Sequence, residues 1–340
     1  MDTAHEFHPD TQIGLILALT INGLAVSAYP DMAAVAQKAE RFGFDSVWLC
    51  DHFLTISPDD YVKDAGILDG SEQATDATVV PTSLPLLECW TALSALARDT
   101  TRVRLGTSVL CNSYRHPSVL AKMAATLDVI SEGRLLLGMG AGWFQREFDA
   151  YGIPFPPVRD RVSALAESLE VMKAVWTQHN PTYSGQFYTL NGAICDPPPV
   201  QRPHPPLWIG GEGDRVHRIA ARHAQGLNVR WWSPEQVSER REFLDRACEA
   251  AGRDPETLRL SVTVLLAPTG SAEQEARLRT EFASIPDSGL IIGSPERCIE
   301  RVREYQSRGV NQFLFTVPHV VQSDYLDIVG REVIPSIKSG

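Results

Sequence analysis

The sequence predicts an α/β fold in which eight parallel strands close into a (β/α)8 barrel, and three observations predict it. Eight short, continuous apolar runs recur along the 340 residues, each reading as a strand buried on both faces. Segments with apolar residues at helical spacing lie between them. Glycines at positions 43, 133, 226 and 309 stand between helix and following strand, where a helix C-cap belongs. Parallel strands joined by helices imply right-handed crossovers, and eight of them favour closure over an open sheet. No Gly-x-Gly-x-x-Gly opens the first helix, which weakens the open, doubly wound alternative.

The elements follow in order. Residues 1–11 are polar and are expected to fray. Residues 13–19 form the first apolar run; Met32, Val35, Ala36, Ala39 and Phe42 mark the first helix, and 46–50 the second strand. Helix 87–97 then leads to strand 103–110, helix 118–130 to strand 135–139, and helix 161–178 to strand 207–209. Helix 216–223 leads to strand 227–230, helix 234–250 to strand 258–266, and helix 295–308 to strand 312–317. Ser233-Pro234 and Ser294-Pro295 place Ser at N-cap and Pro at N1, and Gln236 is set to close a capping box on Ser233. Three connections, 53–86, 180–206 and 267–293, are too long for plain turns and read as insertions on one domain spanning 1–340. The first follows strand two and overhangs the C-terminal face. The second carries a hairpin pattern at 183–188 and the stiff Pro197-Pro198-Pro199; the third is polar, with the character of a lid.

Composition narrows the function. A net charge of −11 argues against a nucleic-acid partner. No apolar run reaches the roughly 18–20 residues a bilayer span needs, and the first residues lack a signal-peptide pattern. Six scattered cysteines with no Cys-x-x-Cys pair fit neither a disulfide framework nor a zinc ribbon, so a cytoplasmic location is expected. No histidine pair has ligand spacing beside an acid, and no Gly-x-Ser-x-Gly elbow occurs. Neither a metal nor a hydrolytic nucleophile is therefore expected.

Barrel chemistry sits at strand C-termini. Strand two runs directly into Asp51-His52, an acid and an imidazole able to move a proton or orient a ring. Strand three ends in small residues, Gly106-Thr107-Ser108-Val109, and continues to Asn112. Strand four ends in Gly138-Met139-Gly140-Ala141-Gly142-Trp143. Its glycines weaken a strand by roughly 1 kcal/mol each relative to Ala, so close passage of a ligand is the expected compensation. Strand five ends in Gly210-Gly211-Glu212-Gly213 before a helix, a pattern that suits a phosphate.

These strand ends form a recognisable set. Residues 40–48 with Asp51-His52-Phe53, 101–109, 131–143, 206–211 and 293–296 resemble the motifs of the bacterial-luciferase-like superfamily, over about residues 12–335. Tyr114-Arg115-His116-Pro117, Trp143 and Tyr151-Gly152-Ile153-Pro154-Phe155 make the chain most similar to its coenzyme F420-dependent oxidoreductases. The resemblance implies a TIM barrel with a deazaflavin or flavin edge-on in the strand-end cleft. It places His52 beside the ring and a non-prolyl cis peptide at Ser108-Val109 behind it. Gly140, Ala141, Gly142 and Trp143 with Gly210, Gly211, Glu212 and Gly213 surround the cofactor, joined by Thr107 and Asn112. His52 is expected as the proton donor, oriented by Asp51. Trp143 stands where sugar-phosphate dehydrogenases of the superfamily carry an acidic glutamate, so a more apolar substrate is expected, and Glu147 is read as facing solvent. The implied activity is hydride transfer between coenzyme F420 and a small organic substrate, in a homodimer. The alternatives are an FMN-dependent monooxygenase and a non-catalytic flavin-binding protein.

Overall fold

A computed structural model describes residues 11–18, 26–56 and 85–338. Eight parallel strands form a closed ring: β1 (Gln12–Ala18), β2 (Ser46–Leu49), β3 (Arg104–Thr107), β5 (Leu135–Gly140), β8 (Leu207–Gly210), β9 (Gly226–Arg230), β10 (Arg259–Pro268) and β12 (Gln312–Thr316). β9 pairs with β10, β10 with β12 and β12 with β1, which closes the circle. β4 (Leu110–Cys111) continues the third strand and pairs with β5. Most of the predicted insertion 53–86, and all of the expected frayed end but Thr11, lie outside the described residues.

Alternation along each strand separates two cores. Leu15, Leu17, Val47, Leu49, Leu135 and Leu137 point outward onto the helices. Ile16, Trp48, Leu136, Trp208 and Leu314 point inward and fill the barrel, as the period-two geometry of a strand requires. The two indoles meet edge to face with centroids 6.1 Å apart. Their bulk is matched by missing side chains: a Cβ at Gly106 would sit 2.2 Å from the Trp48 ring, and one at Gly226 2.1 Å from Trp208.

The N-terminal face is tied by polar side chains from the same motifs that carry the resemblance. Asp45 accepts from the Ile13 N–H at 2.7 Å and from Lys338 Nζ at 2.7 Å. Arg134 donates to the carbonyls of Ala97, Thr100, Val103 and Ser131. Ser233 and Gln236 form the predicted capping box at the start of the helix Pro234–Ala250.

Two insertions resolve differently. Residues 180–206 contain the expected hairpin, β6 (Thr182–Ser184) against β7 (Thr189–Asn191). Residues 267–293 carry ordered elements of their own. They form a helix, Ala272–Glu281, and a ninth parallel strand, β11 (Leu290–Gly293), which pairs with Leu265–Pro268 of β10. The charged outer face of that helix hides one buried anchor, Leu278, which is why the stretch reads as polar. Among the described residues no helix is long and apolar enough to cross a membrane.

Gly106→Ala is expected to destabilise the protein by about 1–3 kcal/mol through overpacking against Trp48. Urea unfolding, with an unchanged m-value, is the check.

Candidate active site

The strand C-termini enclose a cavity of about 370 Å³, a size that suits a small-molecule site. Asp51 and His52 enter it after β2, Ser108 and Val109 from the third strand, and Gly140, Ala141, Gly142 and Trp143 after β5. Gly210, Gly211, Glu212 and Gly213 enter after β8, and Asn228 and Arg230 lie at the end of β9. A larger, open void of about 770 Å³ lies at the N-terminal end among Arg241, Asp245, Gln306 and Lys338. None of the sequence-predicted site residues lines it, and this face of a barrel ordinarily serves stability.

The wall at strand three is an interruption of the sheet. Leu105 pairs with Leu135, an offset of 30, whereas Leu110 pairs with Met139, an offset of 29. One residue of strand three is therefore looped out between them, as in a bulge. The peptide between Ser108 and Val109 is cis. The Thr107 hydroxyl replaces the lost ladder bonds, donating to the Gly138 carbonyl and accepting from its N–H, both at 2.9 Å. Thr107 is thus a splint between strands and does not reach the cavity. Asn112 does not reach it either; it is buried, and its Nδ2 donates to the Tyr188 hydroxyl at 3.0 Å.

The glycines have a reason other than the ligand approach expected of them. A Cβ at Gly140 would lie 2.7 Å from Val109 Cγ2, and one at Gly210 2.9 Å from Val109 Cγ1. One at Gly138 would strike the Thr107 carbonyl at 1.9 Å. These glycines make room for the backbone and side chain of the interrupted strand. Gly213 differs: nothing lies within 4 Å of its Cβ position.

Asp51 does not orient His52. Its Oδ2 accepts from the Cys111 N–H at 3.0 Å and from Arg115 Nη1 at 2.8 Å, while Oδ1 accepts from Arg115 Nη2 at 3.0 Å. Arg115 also donates to Glu88, the N-cap of the helix Cys89–Asp99. Burial opposes the charge on Arg115, but the Asp51 carboxylate outweighs it and holds the guanidinium above its ordinary range. Such a bidentate pair is rigid as well as strong. It locks the turn after β2 to the third strand.

His52 is held by Glu147 instead. Its Nδ1 lies 3.0 Å from Glu147 Oε2, and the Glu147 side chain is wholly buried. The same Oε2 accepts from the Tyr114 hydroxyl at 2.8 Å, and Oε1 accepts from the N–H groups of Phe53 at 2.6 Å and Leu54 at 2.9 Å. Burial pushes this carboxyl up, but the His52 contact and the other donors outweigh it and hold it below the usual range. Glu147 is therefore an anion at neutral pH, contrary to the solvent-facing role expected of it. Trp143 and Phe144 pack edge-on against the imidazole at 5.8 and 6.2 Å. The sequence carried a readable sign of this. Phe144, Glu147, Phe148 and Tyr151 recur at the spacing of one face in and around the helix Gln145–Tyr151, and an acid in an apolar stripe needs partners inside the fold.

The glycine loop after β8 is braced from behind. His217, fully buried, lies with Nε2 3.2 Å from the Gly211 carbonyl while Nδ1 accepts from Arg240 Nε at 3.1 Å. Burial, with Arg240 beside it, pushes His217 down to about 4, so it is neutral and Nε2 carries the hydrogen that Gly211 accepts. Arg161 lines the opposite rim, its Nε donating to the Gly142 carbonyl at 3.3 Å and its guanidinium 3.8 Å above the Phe155 ring. Among the described residues no cluster of three or more His, Cys, Asp and Glu has metal-holding geometry.

Comparison with known proteins adds the following. Residues 12–287 match the sequence pattern of the family described as luciferase-like monooxygenase. An F420-dependent glucose-6-phosphate dehydrogenase of Microbacterium testaceum (strain StLB037) is 30% identical over 331 residues, covering 88% of this chain and 91% of the relative. One of the same name from Amycolatopsis mediterranei (strain U-32) is 28% identical over 344 residues, covering 91% and 95%. Among solved structures, an F420-dependent secondary alcohol dehydrogenase in complex with an F420-acetone adduct superposes with a TM-score of 0.79 at 21% identity, covering 96% of this chain and 99% of the other. At that identity the likeness speaks to the fold alone.

A pH dependence follows from His217. Its native value near 4 lies below its ordinary 6.5, so the unfolded chain binds the extra proton first as pH falls. Its contribution to stability is therefore full above 6.5 and is lost progressively toward 4, on the order of 1–3 kcal/mol. His217→Gln is expected to shrink the loss of urea-midpoint stability between pH 7 and pH 4.5; an equal loss in both proteins would show that other groups carry it.

Proposed function

The chain belongs to the luciferase-like monooxygenase family, and on that footing we propose that it is an oxidoreductase using coenzyme F420 to move a hydride to or from a small organic substrate. The names of the relatives support the choice of cofactor. The observation that carries the reading is the cavity wall at the cis Ser108-Val109 peptide, with His52 lining the same space. A flat tricyclic ring needs a wall of backbone and small atoms. Gly140, Ala141, Gly142, Gly210 and the Ser108-Val109 unit supply one. The open position at Gly213 and the N-terminus of the helix Asp214–His223 suit the polar, anionic part of the cofactor.

When bound, the deazaflavin supplies hydride chemistry while activating dioxygen poorly. The protein's share is placement and proton handling. Ser108 and Val109 back the ring, and Trp143 and Phe144 keep water from the imidazole. His52 holds or moves the substrate's proton at Nε2, the nitrogen that Glu147 leaves free. Asp51 and Arg115 hold the turn that carries His52.

The substrate is proposed to be less charged than a sugar phosphate. Among the described residues lining the cavity there is no lysine, and of the arginines Arg161 is already engaged by backbone carbonyls and Phe155. Trp143 offers an apolar surface where an acid would bind a sugar.

Titration of the purified protein with F420 is expected to quench tryptophan fluorescence with a Kd at least about tenfold below that for FMN, roughly 1.4 kcal/mol. Tight FMN binding with no response to F420 would transfer the assignment to the monooxygenase reading. His52→Ala is expected to lower kcat by about 10²–10⁴-fold while leaving the F420 Kd within about threefold. Small, equal effects on both would remove His52 from the chemistry.

A further inference from the structure

We infer that Glu147 is the positioning residue that fixes the tautomer of His52, so that its acid–base nitrogen in the cavity is Nε2. The inference rests on the oxidoreductase reading above for what the proton is used for. It does not rest on it for where the proton sits.

The geometry is a donor count. The Glu147 carboxylate is completely buried, and three of its four contacts come from groups that donate: the Phe53 and Leu54 N–H groups on Oε1 and the Tyr114 hydroxyl on Oε2. The fourth contact is His52 Nδ1, 3.0 Å from Oε2. An ionised carboxylate has no proton to give, so Nδ1 must carry the hydrogen, and Nε2 is left with a lone pair or, after protonation, a second N–H. Burial of Tyr114, together with the negative groups around it, pushes its hydroxyl far up, so it remains a donor across the working range.

The consequence for chemistry is directional. When a substrate hydroxyl is oxidised, its O–H bond breaks and the proton passes to Nε2, with the electron pair staying on oxygen; the hydride from carbon goes to the cofactor. The imidazolium so formed faces Glu147, which is already ionised and held by its other donors. Reduction runs the same proton outward. In both directions Glu147 does the work that a buried acid does behind the histidine of a hydrolase, with no contact to substrate or cofactor.

A purely structural role would hold the turn 52–54 and nothing more, and Glu147→Gln separates the two. Glutamine Oε1 can accept from Phe53 and Leu54, but its amide nitrogen then donates where the carboxylate accepted. The His52 ring must answer by making Nδ1 the acceptor and carrying its hydrogen on Nε2. Imidazole ¹⁵N NMR on the protein without added cofactor is expected to show Nδ1–H in the parent chain and Nε2–H in Glu147→Gln. With F420 and an accepted substrate, kcat is expected to fall about 10²-fold or more, with KM and the F420 Kd within about threefold, and Glu147→Asp to recover at least tenfold of the loss. An Nε2–H signal in the parent chain overturns the inference even if the variant fails to fold. An unchanged tautomer in Glu147→Gln, or equal losses for Gln and Asp, overturns it as well. Failure of the parent chain to bind F420 would sink the proposed function and leave the tautomer result standing.

Discussion

The side chain of Val109 is the contact on which the site depends. The third strand loses its ladder at Thr107, and the cis peptide that follows sends Val109 against Gly140 and Gly210 on two further strands. Interiors this dense transmit small changes of volume directly. The width of the cavity at this wall is therefore set by one isopropyl group and the absence of Cβ atoms facing it. The Thr107 hydroxyl, bonded both ways to Gly138, keeps the two strands in register while the backbone departs. Everything that lines the cavity from β5 and β8 is positioned against that departure.

Much of this was legible in the sequence, and for physical reasons. Two-sided burial writes strands as unbroken apolar runs, so the eight ring strands could be counted from residues such as Val47-Trp48-Leu49 and Leu135-Leu136-Leu137. The positions of Asp51, His52 and the glycine runs followed from where those strands end. The reasons for the glycines did not follow, because what a missing Cβ accommodates is set by neighbours distant in sequence. Asp51 and Glu147 show the same limit. Adjacency suggested that Asp51 serves His52, whereas the turn after β2 sends the two side chains to different partners, Arg115 and Glu147. The elements within 267–293 were not readable because a helix with a single buried leucine and a four-residue strand leave almost no periodic signal.

Charge is handled at the site by exhaustion of donors and acceptors. Asp51 is saturated by Arg115 and the Cys111 N–H, Glu147 by four contacts, and the neutral His217 by Gly211 and Arg240. Buried ions are tolerable only when so compensated. The polar groups around the cavity are consequently committed to one another, which leaves His52 as the group on that side with a free nitrogen. Specificity of protonation is achieved by satisfying every competitor.

The length of β10 carries a last consequence. Its ten residues are buried throughout, yet Leu266, Ala267 and Pro268 pair with β11 and with no strand of the ring. The helix Ala272–Glu281 and β11 therefore hang from a spar that projects past the rim. Leu278, Phe282, Ile285, Leu290 and Ile292 of this appendage join Trp48 and Trp231 in the inner core, so the packing that fills the cylinder continues past its rim.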